Sequence, residues 1–165
     1  MGNEKLNKLL IGFIILAVCF ALDRFSKIYI LNILNNEGQV DFYINQFLNI
    51  YLVWNTGIGF GLFSSEDKLF YNLFSVIIVI INFVILYFAY IETKLKSFFL
   101  MVILGGSLGN LFDRFYYNAV PDFIDLNYDG YHWFIFNVAD IFITIGIICL
   151  IFSEFIFYKK NNDQK

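Results

Sequence analysis

Asp122 and Asp140 are the residues of this chain whose type and setting most directly suggest chemistry. Each carboxylate sits in strongly apolar sequence, Val120-Pro121-Asp122-Phe123-Ile124 and Phe136-Asn137-Val138-Ala139-Asp140-Ile141. An aspartate near the edge of a lipid-embedded segment is costly and usually has a function. Two of them, brought together, can share one proton and activate a water, which is the chemistry of aspartic peptidases. Other polar residues have suggestive spacing. Asn110 and Arg114 lie four apart on one helical face, where an amide and a guanidinium could both donate to a peptide carbonyl. Asp23 and Lys27 have the same spacing, with the acid nearer the N-terminus, as suits an ion pair at the membrane edge. Asn137 and Asp140 also fit a helix cap, with Asn137 at the N-cap and Asp140 at the third helical position.

The elements that must position these groups belong to a membrane protein. Of 165 residues, 59% are hydrophobic and 15% are charged, against roughly 25% charged in a soluble domain. Mean hydropathy is +0.69. A formal charge of −3 argues against nucleic acid as a partner. Cys19 and Cys149 lie in separate apolar runs, so a disulfide framework is not expected. A single His and the lack of a His/Cys cluster at ligand spacing give no support for a metal, and no cofactor is implied.

Four apolar segments approach the roughly 20 residues a span requires. The expected organisation is one integral membrane domain over residues 1–165. Its spans fall near 9–30, 69–91, 97–113 and 138–158, and its outer regions near 31–68 and 114–137. The first segment follows Lys5 and Lys8 like a signal peptide. No small-x-small site leads into a polar mature domain, so it is read as a retained helix. Four spans put both ends on one side, with Lys5, Lys8, Lys94, Lys96, Lys159, Lys160 and Lys165. The positive-inside rule makes that side cytoplasmic and the two aspartates extracytoplasmic.

The outer regions are too apolar for loops. Leu48–Trp54 is rich in strand formers and is broken by Asn55-Thr56-Gly57. Gly57, Gly59 and Gly61 leave the following backbone bare, suited to a flap. Ser64-Ser65-Glu66-Asp67 reads as a cap with an acidic first turn opening the second span. Asp129-Gly130, between Asp122–Tyr128 and Tyr131–Phe136, signals a hairpin. That hairpin matters, because a continuous helix would hold the aspartates about 27 Å apart. Pro121 puts Asp122 on a strand or turn. His132, between Tyr131 and Trp133, reads as an interfacial aromatic-belt residue. Gly105 to Gly109 reads as a helix-packing face, which leaves Asn110, Asp113 and Arg114 unexplained.

In order, the motifs are Asp23-Arg24-Phe25-Ser26-Lys27, Asn55-Thr56-Gly57, Gly105-Gly106-x-x-Gly109-Asn110-x-x-Asp113-Arg114, Val120-x-Asp122-Phe123-Ile124 and Phe136-Asn137-Val138-Ala139-Asp140. Together they resemble the lipoprotein signal peptidase (signal peptidase II) family. The resemblance implies a mainly α membrane protein of four transmembrane helices with a small extracytoplasmic β-cradle. It implies an aspartic endopeptidase of the bacterial inner membrane. The substrate would be a diacylglyceryl-modified prolipoprotein, cut just before its lipidated cysteine. Asp122 and Asp140 match the catalytic pair. Asn55, Asn110, Arg114 and Asn137 match substrate-site residues, and Asp23, Lys27, Gly57 and Gly106 match supporting positions. Ile58 and Pro121 depart from the family pattern.

Two rival readings stand beside this one. Ser26 and Lys27 could form a serine–lysine signal peptidase, but neighbours on a helix point in different directions. A small four-span transporter or channel subunit could use intramembrane carboxylates to carry protons or cations. Membrane lipid and the lipidated substrate are the expected partners, and the sequence requires no protein subunit beside them.

Overall fold

The computed structural model describes residues 2–57, 68–128 and 131–162. The expectations on Ile58, Gly59, Gly61, the Ser64–Asp67 cap and the Asp129-Gly130 turn lie outside the described residues. The elements run α1 (Gly2–Glu37), β1 (Asp41–Asn45), β2 (Leu48–Asn55), α2 (Lys68–Ile91), α3 (Lys94–Tyr117), β3 (Val120–Tyr128), β4 (Tyr131–Phe136) and α4 (Val138–Asn162). All four helices are long and apolar enough to cross a membrane. The expected architecture of four spans and a small sheet is therefore the observed one.

α1 and α3 both extend beyond their expected spans at both ends. α1 runs on to Glu37, and its 36 residues rise about 54 Å. That is well beyond the roughly 30 Å of a hydrocarbon core, so its last turns stand among the strands. α3 begins at Lys94 and ends at Tyr117, because its charged ends continue the helix on either side of the apolar run.

α3 is the hub, packing against α1, α2 and α4. It is the least hydrophobic of the four spans and the most buried. Small residues let the backbones approach, as they must where lipid supplies no hydrophobic drive between helices. A Cβ on Gly105 would lie 2.7 Å from Cys19 Cβ in α1, and one on Gly109 would collide with Asp23 Oδ2. A Cβ on Gly106 faces the other way, 2.5 Å from the Ala139 carbonyl oxygen of α4. The predicted Gly105–Gly109 packing face is real, and Gly106 extends it to a second helix. Leu100, Met101, Ile103 and Leu104 of α3 join Ala89 in the main apolar core. Large apolar side chains such as Phe13, Ile80, Phe83 and Phe152 face outward, where a bilayer would meet them. The polarity is inverted inside: Asp23, Lys27, Asp113 and Asn137 are fully buried.

The strands form one antiparallel sheet in the order β1-β2-β3-β4. α3 ends on Asn118, whose left-handed backbone (φ 56°) turns the chain into β3. Val53 pairs with Asp122, Trp54 with Pro121 and Asn55 with Val120. Pairing of β3 with β4 begins only at Ile124. Pro121 therefore sits where β3 has a neighbour on one side, as a residue without an N–H requires. Across β3, the buried Asp125 takes His132 Nδ1 at 2.8 Å. His132, read as a belt residue, thus also ties β4 to β3.

Candidate active site

The hairpin does what the sequence required of it. β3 carries Asp122 away from α3, β4 returns, and Phe136 leads directly into α4 with Asp140 in its first turn. The predicted cap is formed in full. Asp140 N donates to Asn137 Oδ1 at 3.2 Å, and Asn137 N donates to Asp140 Oδ2 at 3.1 Å. This reciprocal pair fixes the Asp140 carboxylate on the helix end. The other end of the same Asn137 amide, Nδ2, donates to Asp122 Oδ1 at 2.5 Å. One residue therefore holds both carboxylates.

Each carboxylate has a second amide donor. Asn55 Nδ2, at the end of β2, reaches Asp122 Oδ2 at 2.9 Å. Asn110 Nδ2, from α3, reaches Asp140 Oδ1 at 2.8 Å. Gly57 N donates to Asn55 Oδ1 at 2.9 Å, which orients the Asn55 amide. The Gly57 carbonyl accepts Arg114 Nη2 at 2.6 Å. The Arg114 guanidinium lies 5.4 Å from the Tyr71 ring centroid. Its Nε and Nη1 are buried and have no acceptor among the described residues.

A cavity of about 190 Å³ opens between these groups. Asn55, Asn110, Arg114, Asp122, Asn137 and Asp140 all line it, so all six sequence-predicted catalytic and binding positions converge. Val120, Ile135, Phe136, Ile143 and Thr144 complete the wall; Val120 and Phe136 belong to the quoted motifs, whereas Ile135, Ile143 and Thr144 were not singled out from sequence. Thr144 was the most accessible of these, lying four residues after Asp140 and hence on the same helical face. Burial pushes the Asp122 carboxyl up to about 6. The charge of Asp140 adds to that rise, and the amides of Asn55 and Asn137 oppose it.

The supporting residues sit behind the cavity rather than in it. Lys27 Nζ lies 2.9 Å from the Asp23 carboxylate and 2.6 Å from Asp113 Oδ2. It also donates to Asn110 Oδ1 at 2.7 Å. That bond leaves the Asn110 NH₂ facing Asp140. Asp23 Oδ1 accepts from Ala139 N at 3.0 Å, which ties α1 to the first turn of α4. Arg24 completes the network, 2.6 Å from Asp113 Oδ1. The predicted Asp23–Lys27 ion pair is therefore present and is part of a four-residue cluster. Asp113 and Arg24 were quoted as motif residues without a role. The missing signal was long-range, since Asp113 meets Lys27 across 86 positions.

This constellation can be compared with known proteins. The family model described as "Signal peptidase (SPase) II" matches residues 15–156. The chain belongs to the signal peptidase II family. A lipoprotein signal peptidase of Pelagibacter ubique (strain HTCC1062) is 44% identical over 165 residues, covering 100% of this chain and 99% of the relative. A second, from Anaplasma phagocytophilum (strain HZ), is 40% identical and covers 90% of this chain and 94% of its own. A solved bacterial membrane enzyme superposes with a TM-score of 0.73 at 28% identity, covering 93% of this chain and 91% of its own. These likenesses and the four apolar helices make this chain a multi-pass bacterial membrane protein. The transporter reading finds no support among them.

Proposed function

We propose that this chain is an aspartic endopeptidase that removes the signal peptide from diacylglyceryl-modified prolipoproteins, cutting before the lipidated cysteine. The relatives are named lipoprotein signal peptidase, which supports the substrate class. The observation that carries the catalytic reading is Asn137, which hydrogen-bonds both Asp122 and Asp140 at the wall of one cavity. In the family reading, both termini are cytoplasmic and this cavity faces the extracytoplasmic side.

The mechanism follows from a buried carboxylate, Asp122, and a half-buried one, Asp140, that interact. Like charges this close do not both ionise readily, so the pair titrates as a unit and holds one proton over a range of pH. The ionised carboxylate takes a proton from a water as its oxygen attacks the scissile carbonyl carbon. The protonated partner donates to the carbonyl oxygen as it gains negative charge. When the C–N bond breaks, the proton taken from the water goes to the departing amine. Asn55 and Asn110 keep the two carboxylates aimed. Arg114, with two unspent donor nitrogens, holds substrate carbonyls in register. Ile135, Phe136 and Ile143 accept apolar side chains flanking the cut.

Asp122→Asn and Asp140→Asn, assayed on a diacylglyceryl-modified peptide, test this directly. Each is expected to reduce turnover by at least about a thousandfold, in line with loss of a general acid or base together with its electrostatic role. Near wild-type cleavage by either variant refutes the dyad.

A further inference from the structure

The opposite end of the bundle holds a second polar constellation. The start of α1, the end of α2 and the start of α3 border an open groove of about 720 Å³. It is lined by Lys5, Lys8 and Lys94, with Glu4, Tyr90 and Ile91 among the remaining walls. Lys5 Nζ donates to Tyr90 Oη at 2.7 Å and lies 3.9 Å from the ring centroid. Lys8 Nζ donates to the carbonyl oxygens of Tyr90 at 2.8 Å and Glu92 at 3.0 Å. Part of the role of Lys8 is thus to tie α1 to carbonyls at the C-terminal end of α2.

The charges remain unbalanced. None of the three lysines forms an ion pair with a carboxylate among the described residues, in contrast to Lys27 and Lys96. An ammonium has three donors. Lys5 has spent one on a hydroxyl, Lys8 two on carbonyls, and Lys94 none among the described residues. Glu4 is the one acid on the wall, so the groove is net positive. Ile91 on its wall is exposed, and Tyr87, also exposed, lies four residues before it on the same face of α2, a membrane span. A ligand suited to this corner has an anionic, multi-acceptor head and an apolar tail.

We propose that this corner binds the phosphate headgroup of an anionic membrane phospholipid, with its acyl chains lying along the exposed apolar strip. Basic pockets between transmembrane helices recognise such headgroups, and each lysine near the surface contributes a separate electrostatic increment. The site is remote from the aspartates: Lys8 and Lys27 are separated by about 28 Å along α1. It does not rest on the peptidase reading.

The experiment is lipid competition on the purified full-length protein by native mass spectrometry. Phosphatidylglycerol and phosphatidylcholine are offered in equal amount to wild type, Lys5→Gln/Lys94→Gln and Lys5→Arg/Lys94→Arg. Wild type and the arginine variant should retain phosphatidylglycerol preferentially. The glutamine variant should lose about twenty-fivefold of that preference, roughly fivefold for each lysine. Lys94→Gln alone should lose the fivefold share and keeps the test readable if the double variant does not fold. Peptide cleavage in detergent should be unchanged in all of them. Equal retention of the two lipids by wild type overturns the proposal, as does a preference that survives both glutamines. Displacement by inorganic phosphate would assign the corner to a free anion and overturn the lipid.

Discussion

Gly106→Ala is a small change with a large expected effect on chemistry. The added Cβ would lie 2.5 Å from the Ala139 carbonyl oxygen, 3.1 Å from Ile143 Cγ1 and 3.2 Å from Phe142 Cβ. Ordinary contact begins at 3.4 Å, so α3 and α4 must separate locally by up to 0.9 Å (3.4 − 2.5). The nearest atom is backbone, so no rotamer change relieves the clash. Overpacking of this kind costs about 1–3 kcal/mol. Ala139 precedes Asp140, and its own N–H is held by Asp23, so the strain falls on the turn that carries the carboxylate. A displacement of about 1 Å at a reacting group can cost about a hundredfold in rate. Steady-state cleavage of a lipidated peptide and thermal unfolding in detergent read the two effects. Gly105→Ala is the matched control. Its Cβ meets Leu16 O at 2.8 Å and Cys19 Cβ at 2.7 Å, a slightly milder clash on the α1 side. Both variants should lose stability, and Gly106→Ala should lose far more kcat. Equal kcat losses in the two, or wild-type kcat in Gly106→Ala, would refute the claim that this glycine sets the position of Asp140.

Two further predictions concern charge. Lys27→Met leaves Asp23 and Asp113 buried with Arg24 alone to neutralise them, and breaking such a pair costs about 3–5 kcal/mol. Lys27→Met/Asp113→Asn restores the charge balance and should melt above the single variant; a lower melting temperature would count against the network. The Asp122 carboxyl stands at about 6, above the roughly 3.9 of an unfolded chain. Its contribution to stability is therefore fully present below about pH 4 and is lost as pH rises through 6, amounting to about 3 kcal/mol. Asp140→Asn removes the second-largest cause of the rise, so Asp122 should titrate lower while burial keeps it above its ordinary value. Carboxyl NMR titration reads this, and an unchanged value near 6 would mean that the aspartates do not sense each other.

Much of this molecule was legible along the chain because the governing physics is local or nearly so. Uncharged apolar runs of span length have few alternatives to membrane helices. Asn137 and Asp140 could be read as a cap because the capping box involves residues three apart. The strands flanking Asp129-Gly130 were visible in their aromatic and β-branched content, and they pair as expected. The ordered motifs point to the family by themselves.

What the tertiary structure decided is which polar atoms meet. The cap explained Asn137 locally, but its side chain donates to Asp122, 15 positions away. Lys27 suggested an ion pair with its helical neighbour; only the packing of α1 on α3 brings it to Asp113 and Asn110. Gly106 carried no spacing signal of its own, because its reason is the Ala139 carbonyl on another helix. In lipid, apolar pattern selects the helices but does not distinguish one helix face from another, since most faces are apolar. The close approach permitted by glycine, together with the need to pair every buried charge, sets the relative placement of α1, α3 and α4. That placement brings Asp122 and Asp140 to one cavity.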